Sequence, residues 1–533
     1  MNPVDLNIFA SRLASVCDEM GAVLRNAAFS PNIRDRLDFS CAVFDAAGAL
    51  CAQAAHIPVH LGSMAYAMAG IVARLHWSPG AQVLLNDPYL GGTHLPDVTV
   101  IAPVFAAGAL AGFVVNRAHH ADIGAESPGS MPISSRLEDE GLLLAPAYLV
   151  RADRLRRDVL QGIVAATRNP AESEGDFAAQ LSANRAGVRR LGELIAESGA
   201  AVFADRLRAL NDYGERLARA ALGVIPDGEY RYTDWLDDDG QGNRDLQIRV
   251  CLRARDGTVS ADFAGTAGQV SGNVNCPLSV AAAAVYYALR CLMPPQTPAC
   301  AGTFRPIALL APEGCLLNAR PPAAVAAGNV ETSTRVVDVV LGALAQAVPE
   351  RIPAASHGSM NNLAMGADRP GCRWDYYETI GGGMGAGALG GGLSGVQTHM
   401  TNTLNTPVEV LESRFPVRVR RYALRRGSGG AGRRHGGDGL IREFEFLAPA
   451  RFTLLTERRR HAPWGLAGGG AGMVGVNRFN DVDLPGKCHG EAAAGDRLLV
   501  ASAGGGGWGG AAPGDTAANP GVNLDSPPVT TEQ

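Results

Sequence analysis

Two short segments of the sequence carry side chains that could hold a metal ion. His94 and Asp97 stand three residues apart in THLPDV, and Pro96 between them disfavours a helix, so both belong to a loop that enters a strand. His119 follows in the segment NRAHHAD. Two imidazoles and one carboxylate are a ligand set typical of zinc, manganese or iron(II). If the three side chains converge, the sequence predicts a site for a divalent transition metal.

Two predicted strands, VTVIAPVF and GFVVNRAHH, must position these residues, and a short turn around Gly108 joins them. Folding the hairpin about Gly108 places Asp97 and His119, each eleven residues from it, directly opposite each other. Directly opposed residues have Cβ atoms only about 5 Å apart. The hairpin therefore brings Asp97 and His119 together with His94 without any long-range contact.

The neighbouring histidine, His120, is expected to have a different role. In the same register it lies opposite Pro96, and on a continuing strand its side chain points to the other face of the sheet. We therefore predict that His119 is the metal ligand and that His120 contacts the substrate or supports a ligand. A slip of one residue, or one inserted bulge residue, would exchange the two histidines.

Three further side chains are weaker candidates. Asp38 in RDRLDFS could join the site, although a surface carboxylate in a salt bridge is the commoner state of such a residue. His56 and His60 in HIPVHLGSM could also be ligands, but the sequence favours a buried structural role for both.

The composition describes a large globular protein. The chain has 533 residues, 47% hydrophobic and 19% charged, which predicts two to four domains. Its net charge of −5 favours neither nucleic acid nor an anionic membrane as a partner. The N-terminus resembles no secretory signal, no apolar run could span a bilayer, and the ten cysteines form no CxxC pair. We therefore expect a cytoplasmic protein with reduced thiols.

The scarcity of lysine limits the chemistry that the chain can perform. Of the 47 basic residues only Lys487 is a lysine, and its context LPGKCH does not match the phosphate-binding pattern GxxxxGK[ST]. Neither a phosphate-binding loop nor a lysine Schiff base at another position is expected. If the reaction uses ATP, we expect another chain to bind it.

Apolar periodicity and turn signals predict a mixed set of elements. They are a helix over residues 1–25, a hairpin over 38–54, a helix over 62–76, the strand pair around Gly108, two helices within 156–222, strands from 227, and helices over 278–292 and 332–348. Thr332 or Ser333 is the predicted N-cap of the last helix. From about residue 371 the chain is glycine-rich and strand-like.

These elements predict an α+β, multidomain fold, in which a mixed α/β metal-bearing region precedes a β-rich, glycine-rich region. The expected divisions are an N-terminal metal-site domain at 1–225, a mixed α/β middle region at 226–370, a β-rich region at 371–510 and a flexible tail at 511–533.

Longer segments that include these motifs resemble the hydantoinase B/oxoprolinase family. They are NDPYLGGTHLPDV, NRAHHADIG, RLDFSCAVFD, HIPVHLGSM, GNVNCP, PAAVAAGNVETSTR, YYETIGGGMGA, THMTNTLNTPVEVLE and GGDGLIREF, and they run through nearly the whole chain. The family includes the B-type subunits of ATP-dependent N-methylhydantoinases, the C-terminal half of 5-oxoprolinases, and subunits of caprolactamases and of acetone and acetophenone carboxylases.

The resemblance implies a division of labour between two subunits. A hydantoinase A-type subunit would bind ATP and phosphorylate an oxygen of the substrate, and the B-type subunit would carry the metal and act on the activated intermediate. The family's acidic and histidine positions fall on Asp38, His94, Asp97 and His119, so the resemblance adds Asp38 as a fourth metal ligand and catalytic residue. We place His120 in the catalytic set beside these four.

The expected function is that of the metal-bearing subunit of a hetero-oligomeric, ATP-dependent hydrolase that opens a hydantoin, 5-oxoproline or lactam ring. One alternative is a subunit of an acetone- or acetophenone-type carboxylase. Another is a metal-free partner that only stabilises an A-type subunit.

Overall fold

A computed structural model describes residues 3–54, 56–369 and 372–510, and the tail predicted at 511–533 lies outside the described residues. The α+β prediction is confirmed, because helices pack against four separate sheets. Within the described residues, the helices are too short or too polar to cross a membrane.

The first sheet forms the N-terminal half of the molecule. Its seven strands are β1 (Phe39–Asp45), β2 (Leu50–Gln53), β3 (Gln82–Leu85), β4 (Asp97–Ala106), β5 (Ala109–His119), β6 (Ala147–Arg151) and β7 (Arg154–Leu155). They lie in the order β2-β1-β5-β4-β3-β6-β7, so the strand pair β4–β5 occupies the centre. Both faces of the sheet are covered, which is why the residues of β4 and β5 are buried except for the five nearest the hairpin turn.

Helices cover the two faces of this sheet. They are α1 (Pro3–Ala27), α2 (Pro31–Arg34), α3 (Pro58–Val72), α4 (Arg157–Val164), α5 (Pro170–Ser198) and α6 (Ala200–Leu222). Helices α1 and α5 pack on one face, and α3 packs on the other. The prediction of two helices within 156–222 is wrong, because Pro170 and Gly199 divide this region into three helices.

The predicted register of the central hairpin is confirmed, with Asp97 opposite His119. The turn is formed by Ala107 and Gly108, which both have positive φ angles, as in a type I′ hairpin turn. This turn is centred half a residue before Gly108, and a bulge near Phe105 adds one residue to β5 and restores the predicted pairing.

A second sheet lies on the far side of α3. Its strands are β8 (Gly228–Asp238), β9 (Arg244–Arg255), β10 (Thr258–Asp262) and β11 (Ile307–Leu310), and its helices are α7 (Leu278–Arg290), α8 (Ala301–Phe304) and α9 (Ser333–Ala347). A π-helical turn, Gly328–Thr332, leads directly into α9. The N-cap prediction is therefore wrong: the backbone is already helical at Thr332, and the Thr332 and Ser333 hydroxyls donate to the carbonyls of Val274 and Asn329.

The remaining described residues form two further sheets and one α-helix. The strands are β12 (Asn362–Arg369), β13 (Cys372–Glu378), β14 (Val417–Arg425), β15 (Gly439–Phe446), β16 (Ala450–Leu455), β17 (Val476–Phe479), β18 (Val482–Leu484), β19 (Lys487–Ala492) and β20 (Arg497–Ala501), and the helix is α10 (Val408–Arg414). The strand orders are β13-β12-β16-β19 and β14-β15-β20-β17-β18.

The predicted division at 225/226 falls between α6 and β8, whereas the division at 370/371 falls between the paired strands β12 and β13. The domain boundaries stay predictions.

The glycine that opens the π-helical turn has no room for a side chain. A Cβ at Gly328 would lie 1.8 Å from the carbonyl oxygen of Asn275. We expect Gly328→Ala to lower the free energy of unfolding by about 3 kcal/mol or more, because the buried backbone must shift. The control is Gly192→Ala in α5, where a Cβ meets nothing within 4 Å and Ala should stabilise by about 0.5–1 kcal/mol. Urea unfolding measures both, and equal stability of the two variants would contradict this account.

Candidate metal centre

Three ligand-type atoms meet where β4 begins and β5 ends. His94 Nε2 lies 3.2 Å from Asp97 Oδ1 and 3.2 Å from His119 Nδ1, and His119 Nδ1 lies 3.1 Å from Asp97 Oδ1. An ion bonded at about 2.1 Å to each of three ligands requires ligand atoms about 3.0–3.4 Å apart. The three atoms therefore fit the coordination of one transition-metal ion. Among the described residues, His94, Asp97 and His119 are the one group of three or more His, Cys, Asp or Glu side chains that converges in this way.

Strand alternation explains which side chains reach the site. Odd-numbered residues at this end of β4 and β5 face α3, so Asp97 and His119 point to the same side, together with Thr99 and Arg117. Arg117 donates to Thr99 Oγ1 and to Ser63 Oγ on α3. Burial lowers the pKa of Arg117 to about 10, which leaves the guanidinium charged at neutral pH beside the carboxylate of Asp97.

A backbone carbonyl group fixes the orientation of the His94 ring. It contacts Nδ1, the ring nitrogen that does not face the site. His94 Nδ1 lies 3.2 Å from the carbonyl oxygen of Ala326, which can only accept, so Nδ1 carries the proton and Nε2 directs its lone pair into the site. The Ala326 amide in turn donates to Glu140, which also accepts from Ser134 Oγ. A ring nitrogen that donates to a carbonyl while the other faces the ion is the usual arrangement for a histidine ligand.

The second oxygen of Asp97 collects three further contacts. His60 Nε2 lies 3.1 Å from Asp97 Oδ2, Thr93 Oγ1 donates to the same oxygen, and Asn329 Nδ2 donates to it at 3.3 Å. Burial alone would raise the pKa of Asp97, but the electrostatic interactions with the His60 and His94 rings and the hydrogen bonds from His119 and His60 hold it well below its usual range. Asp97 is therefore an anionic carboxylate at the centre of the cluster.

His119 has one ring nitrogen that the protein leaves unsatisfied. Its ring is stacked on Tyr377 at 4.7 Å between centroids, and its Nδ1 faces Asp97. His119 Nε2 is buried and has no hydrogen-bond partner within the described parts of the chain. Burial lowers the pKa of His119, which favours the neutral imidazole that a metal requires. A buried nitrogen without a partner is an atom that a bound ligand would satisfy.

The other predicted residues lie around this cluster. The carbonyl oxygen of Asp38 accepts from the His119 amide at 3.0 Å, but the Asp38 carboxylate lies outside the converging group, 3.7 Å from Arg36 Nη2. His120 points to the α5 face, where its Nε2 lies 3.0 Å from Gln180 Oε1. The ligand role of Asp38 and the catalytic roles of Asp38 and His120 remain predictions.

The two histidines of HIPVHLGSM have different surroundings. His56 Nδ1 accepts from the Cys41 amide at 3.1 Å, which is the structural role expected from the sequence. His60 instead reaches Asp97 from α3, a contact that the sequence does not predict. Its distance of 37 positions from Asp97 gives no local spacing signal, and only the resemblance of the whole segment could have indicated it.

The single lysine is used in the protein interior. Lys487 Nζ lies 2.6 Å from Glu457 Oε1, and both side chains are buried. Burial alone would lower the pKa of Lys487, but the carboxylates of Glu457 and Asp238 raise it to about 12. The ammonium group is therefore committed to a buried ion pair.

Comparison with known proteins gives one family for nearly the whole chain. The family model described as hydantoinase B/oxoprolinase matches residues 2–511. The chain is 38% identical to 5-oxoprolinase 1 of Arabidopsis thaliana over 95% of its length, and it spans 42% of the length of that relative. It is 32% identical, over 91% of its length and 86% of the relative, to a protein of Pseudomonas sp. (strain NS671) whose name proposes it as the B-type subunit of a D-/L-hydantoinase.

Solved structures share the fold over the same extent. The crystal structure of the ATP-dependent caprolactamase from Pseudomonas jessenii superposes with a TM-score of 0.89 at 28% identity, covering 96% of this chain and 91% of the other. A nucleotide-free acetone carboxylase superposes with a TM-score of 0.86 at 18% identity, covering 96% of this chain and 76% of the other, which shows the fold alone. The family resemblance expected from the motifs is confirmed: the chain belongs to the hydantoinase B/oxoprolinase family.

Proposed function

We propose that the chain is the metal-bearing subunit of an ATP-dependent hydrolase that opens a cyclic amide: a hydantoin, 5-oxoproline or a lactam. The observation that carries this proposal is the buried group of His94, Asp97 and His119 in a member of this family. The named relatives support the substrate class, since a 5-oxoprolinase and a caprolactamase are among them.

His94, Asp97 and His119 would hold the divalent ion, which is zinc, manganese or iron(II) by the chemistry of the ligands. When bound, such an ion polarises a carbonyl group and lowers the pKa of water. Asp97 supplies the negative charge, and the Ala326 carbonyl fixes the ring of His94. We further propose that Asp38, whose backbone accepts from the His119 amide, completes the ligand set or accepts a proton from the attacking water.

We assign ATP to a partner subunit of the hydantoinase A type in a cytoplasmic hetero-oligomer. The sequence has no phosphate-binding loop, and Lys487 is held by Glu457. The name of the Pseudomonas sp. relative describes a B-type subunit, and the Arabidopsis thaliana 5-oxoprolinase has the greater part of its length outside the match. A separate A-type chain could supply the function of that additional length.

The test is reconstitution of the complex through co-expression with the A-type subunit. The complex is assayed for ATP-dependent turnover of hydantoin, 5-oxoproline and caprolactam, and of acetone with bicarbonate, with His94→Ala as the matched metal-site control. We expect ring opening of at least one cyclic amide, no turnover in the His94→Ala complex, and no ATP binding by the isolated chain in calorimetry. Turnover of acetone alone would favour the carboxylase, and tight ATP binding by the isolated chain would contradict the division of labour.

A further inference from the structure

Asn329 is a buried amide that touches the metal centre from the π-helical turn. It is 3% exposed, and its Nδ2 donates to Asp97 Oδ2 at 3.3 Å. Because a carboxylate only accepts hydrogen bonds, this contact fixes which end of the amide faces Asp97. The carbonyl oxygen of the Asn329 side chain therefore faces away from Asp97.

Asn329 Oδ1 is buried and has no hydrogen-bond donor among the residues that the structure describes. Leaving a buried acceptor unpaired is unfavourable. A second unpaired atom, His119 Nε2, belongs to another residue in contact with Asp97. Two buried polar atoms, on two residues that contact Asp97, are therefore available to a polar ligand.

A constrained segment of backbone holds Asn329 in this position. Residues 328–332 form a π-helical turn, a rare conformation that is frequent at functional sites. Ser333 Oγ donates to the backbone carbonyl oxygen of Asn329, and the backbone amide of Gly328 donates to the backbone carbonyl oxygen of Asn273 at 3.0 Å. Gly328 itself has no space for a Cβ. The side chain of Asn329 is thus presented by a rigid, buried segment.

We propose that Asn329 Oδ1 accepts a hydrogen bond from the ring N–H of the phosphorylated amide, which keeps this proton as the imidate cation, so that the site selects cyclic amides whose ring nitrogen is unsubstituted. The inference rests on the proposed function and adds a selectivity to it. A ring methylated at this nitrogen has no donor and leaves Oδ1 buried and unpaired. Sites built to hydrogen-bond a group reject analogues that lack it by up to about 10⁴-fold.

The test uses the complex with the A-type subunit and the cyclic amide that it opens, with the same ring methylated at the scissile nitrogen. In Asn329→Ala we expect kcat/KM for the N–H ring to fall about 10–100-fold, while the rate on the N-methyl ring does not fall further. Metal content should stay at the wild-type level, and ring-dependent ATP consumption by the partner should continue, so more ADP forms per ring opened. Undiminished selectivity, or loss of the metal, would overturn the inference.

Two further variants separate a substrate contact from a structural one. Asn329→Gln keeps the amide but displaces its oxygen, so it should lose the same selectivity if Asn329→Ala does not fold. Asn273→Ala removes another buried amide with an unpaired Oδ1, beside the same turn but without a contact to Asp97, and should lower stability while keeping the selectivity. Equal selectivity in the Gln variant and the wild type would overturn the inference. A wild-type complex that opens no ring would overturn the proposed function, and the inference with it.

Discussion

Replacing Asp97 with alanine is expected to abolish both metal binding and ring opening. The change removes the one carboxylate of the cluster and leaves the buried side chains of His60, His94 and Asn329 without their common partner. We expect less than a tenth of the wild-type metal content and a fall in turnover of about a thousandfold or more, since a bound ion supplies several kcal/mol of transition-state stabilisation. Elemental analysis and the ring-opening assay of the complex measure the two effects.

The control for this change is another buried aspartate on the same half of the molecule. Asp176 is 1% exposed and its Oδ1 accepts from the amides of Phe29 and Ser30, away from the cluster. Asp176→Asn should lower the thermal unfolding temperature but keep the metal. Wild-type metal content in a folded Asp97→Ala protein would contradict the assignment of Asp97 as a ligand.

The two adjacent histidines should respond in opposite ways to the same substitution. His119→Ala removes a ligand-type nitrogen and is expected to abolish metal retention and turnover. His120→Ala removes a side chain on the other face of the sheet, where it contacts Gln180 and Phe177. It should keep the metal and reduce turnover about 10–100-fold, as is typical of residues that act through their neighbours.

This pair of variants is its own control, because the residue type is the same and the two positions are adjacent at the end of β5. Metal content is measured on both proteins after identical purification, with circular dichroism to establish that each is folded. Metal retained in His119→Ala and lost in His120→Ala would reverse the assignment of the two residues. Metal retained in both variants would show that neither histidine is a metal ligand.

The part of the site that the sequence predicts is the part built from local contacts. Asp97 and His119 pair within one hairpin, and strand alternation assigns His120 to the opposite face. The predicted register assumes a turn centred on Gly108, whereas the structure reaches it with the turn Ala107–Gly108 and a bulge. The position of the turn and the bulge shift the pairing of the two strands in opposite directions, so the predicted register is reached. In a hairpin without the bulge the register would differ, and the prediction from the turn would have been wrong.

The contacts that the sequence does not reveal connect distant positions. His60 reaches Asp97 from α3, and Asn329 reaches it across 232 positions of the chain. No periodicity or spacing encodes such contacts, because they depend on how α3 and the π-helical turn pack against the sheet. The wrong N-cap prediction at Thr332 has the same origin: a hydroxyl before an apolar helix is the usual signal of a cap, but the preceding residues are already helical.

The central claim is that His94, Asp97 and His119 bind one transition-metal ion, and anomalous X-ray diffraction tests it most directly. Crystals of the purified chain, grown with zinc or manganese, are measured at the absorption edge of the metal. We predict one strong anomalous peak within bonding distance of His94 Nε2, Asp97 Oδ1 and His119 Nδ1. An anomalous map with no peak among these three atoms, or with its only peaks elsewhere in the molecule, would contradict the account.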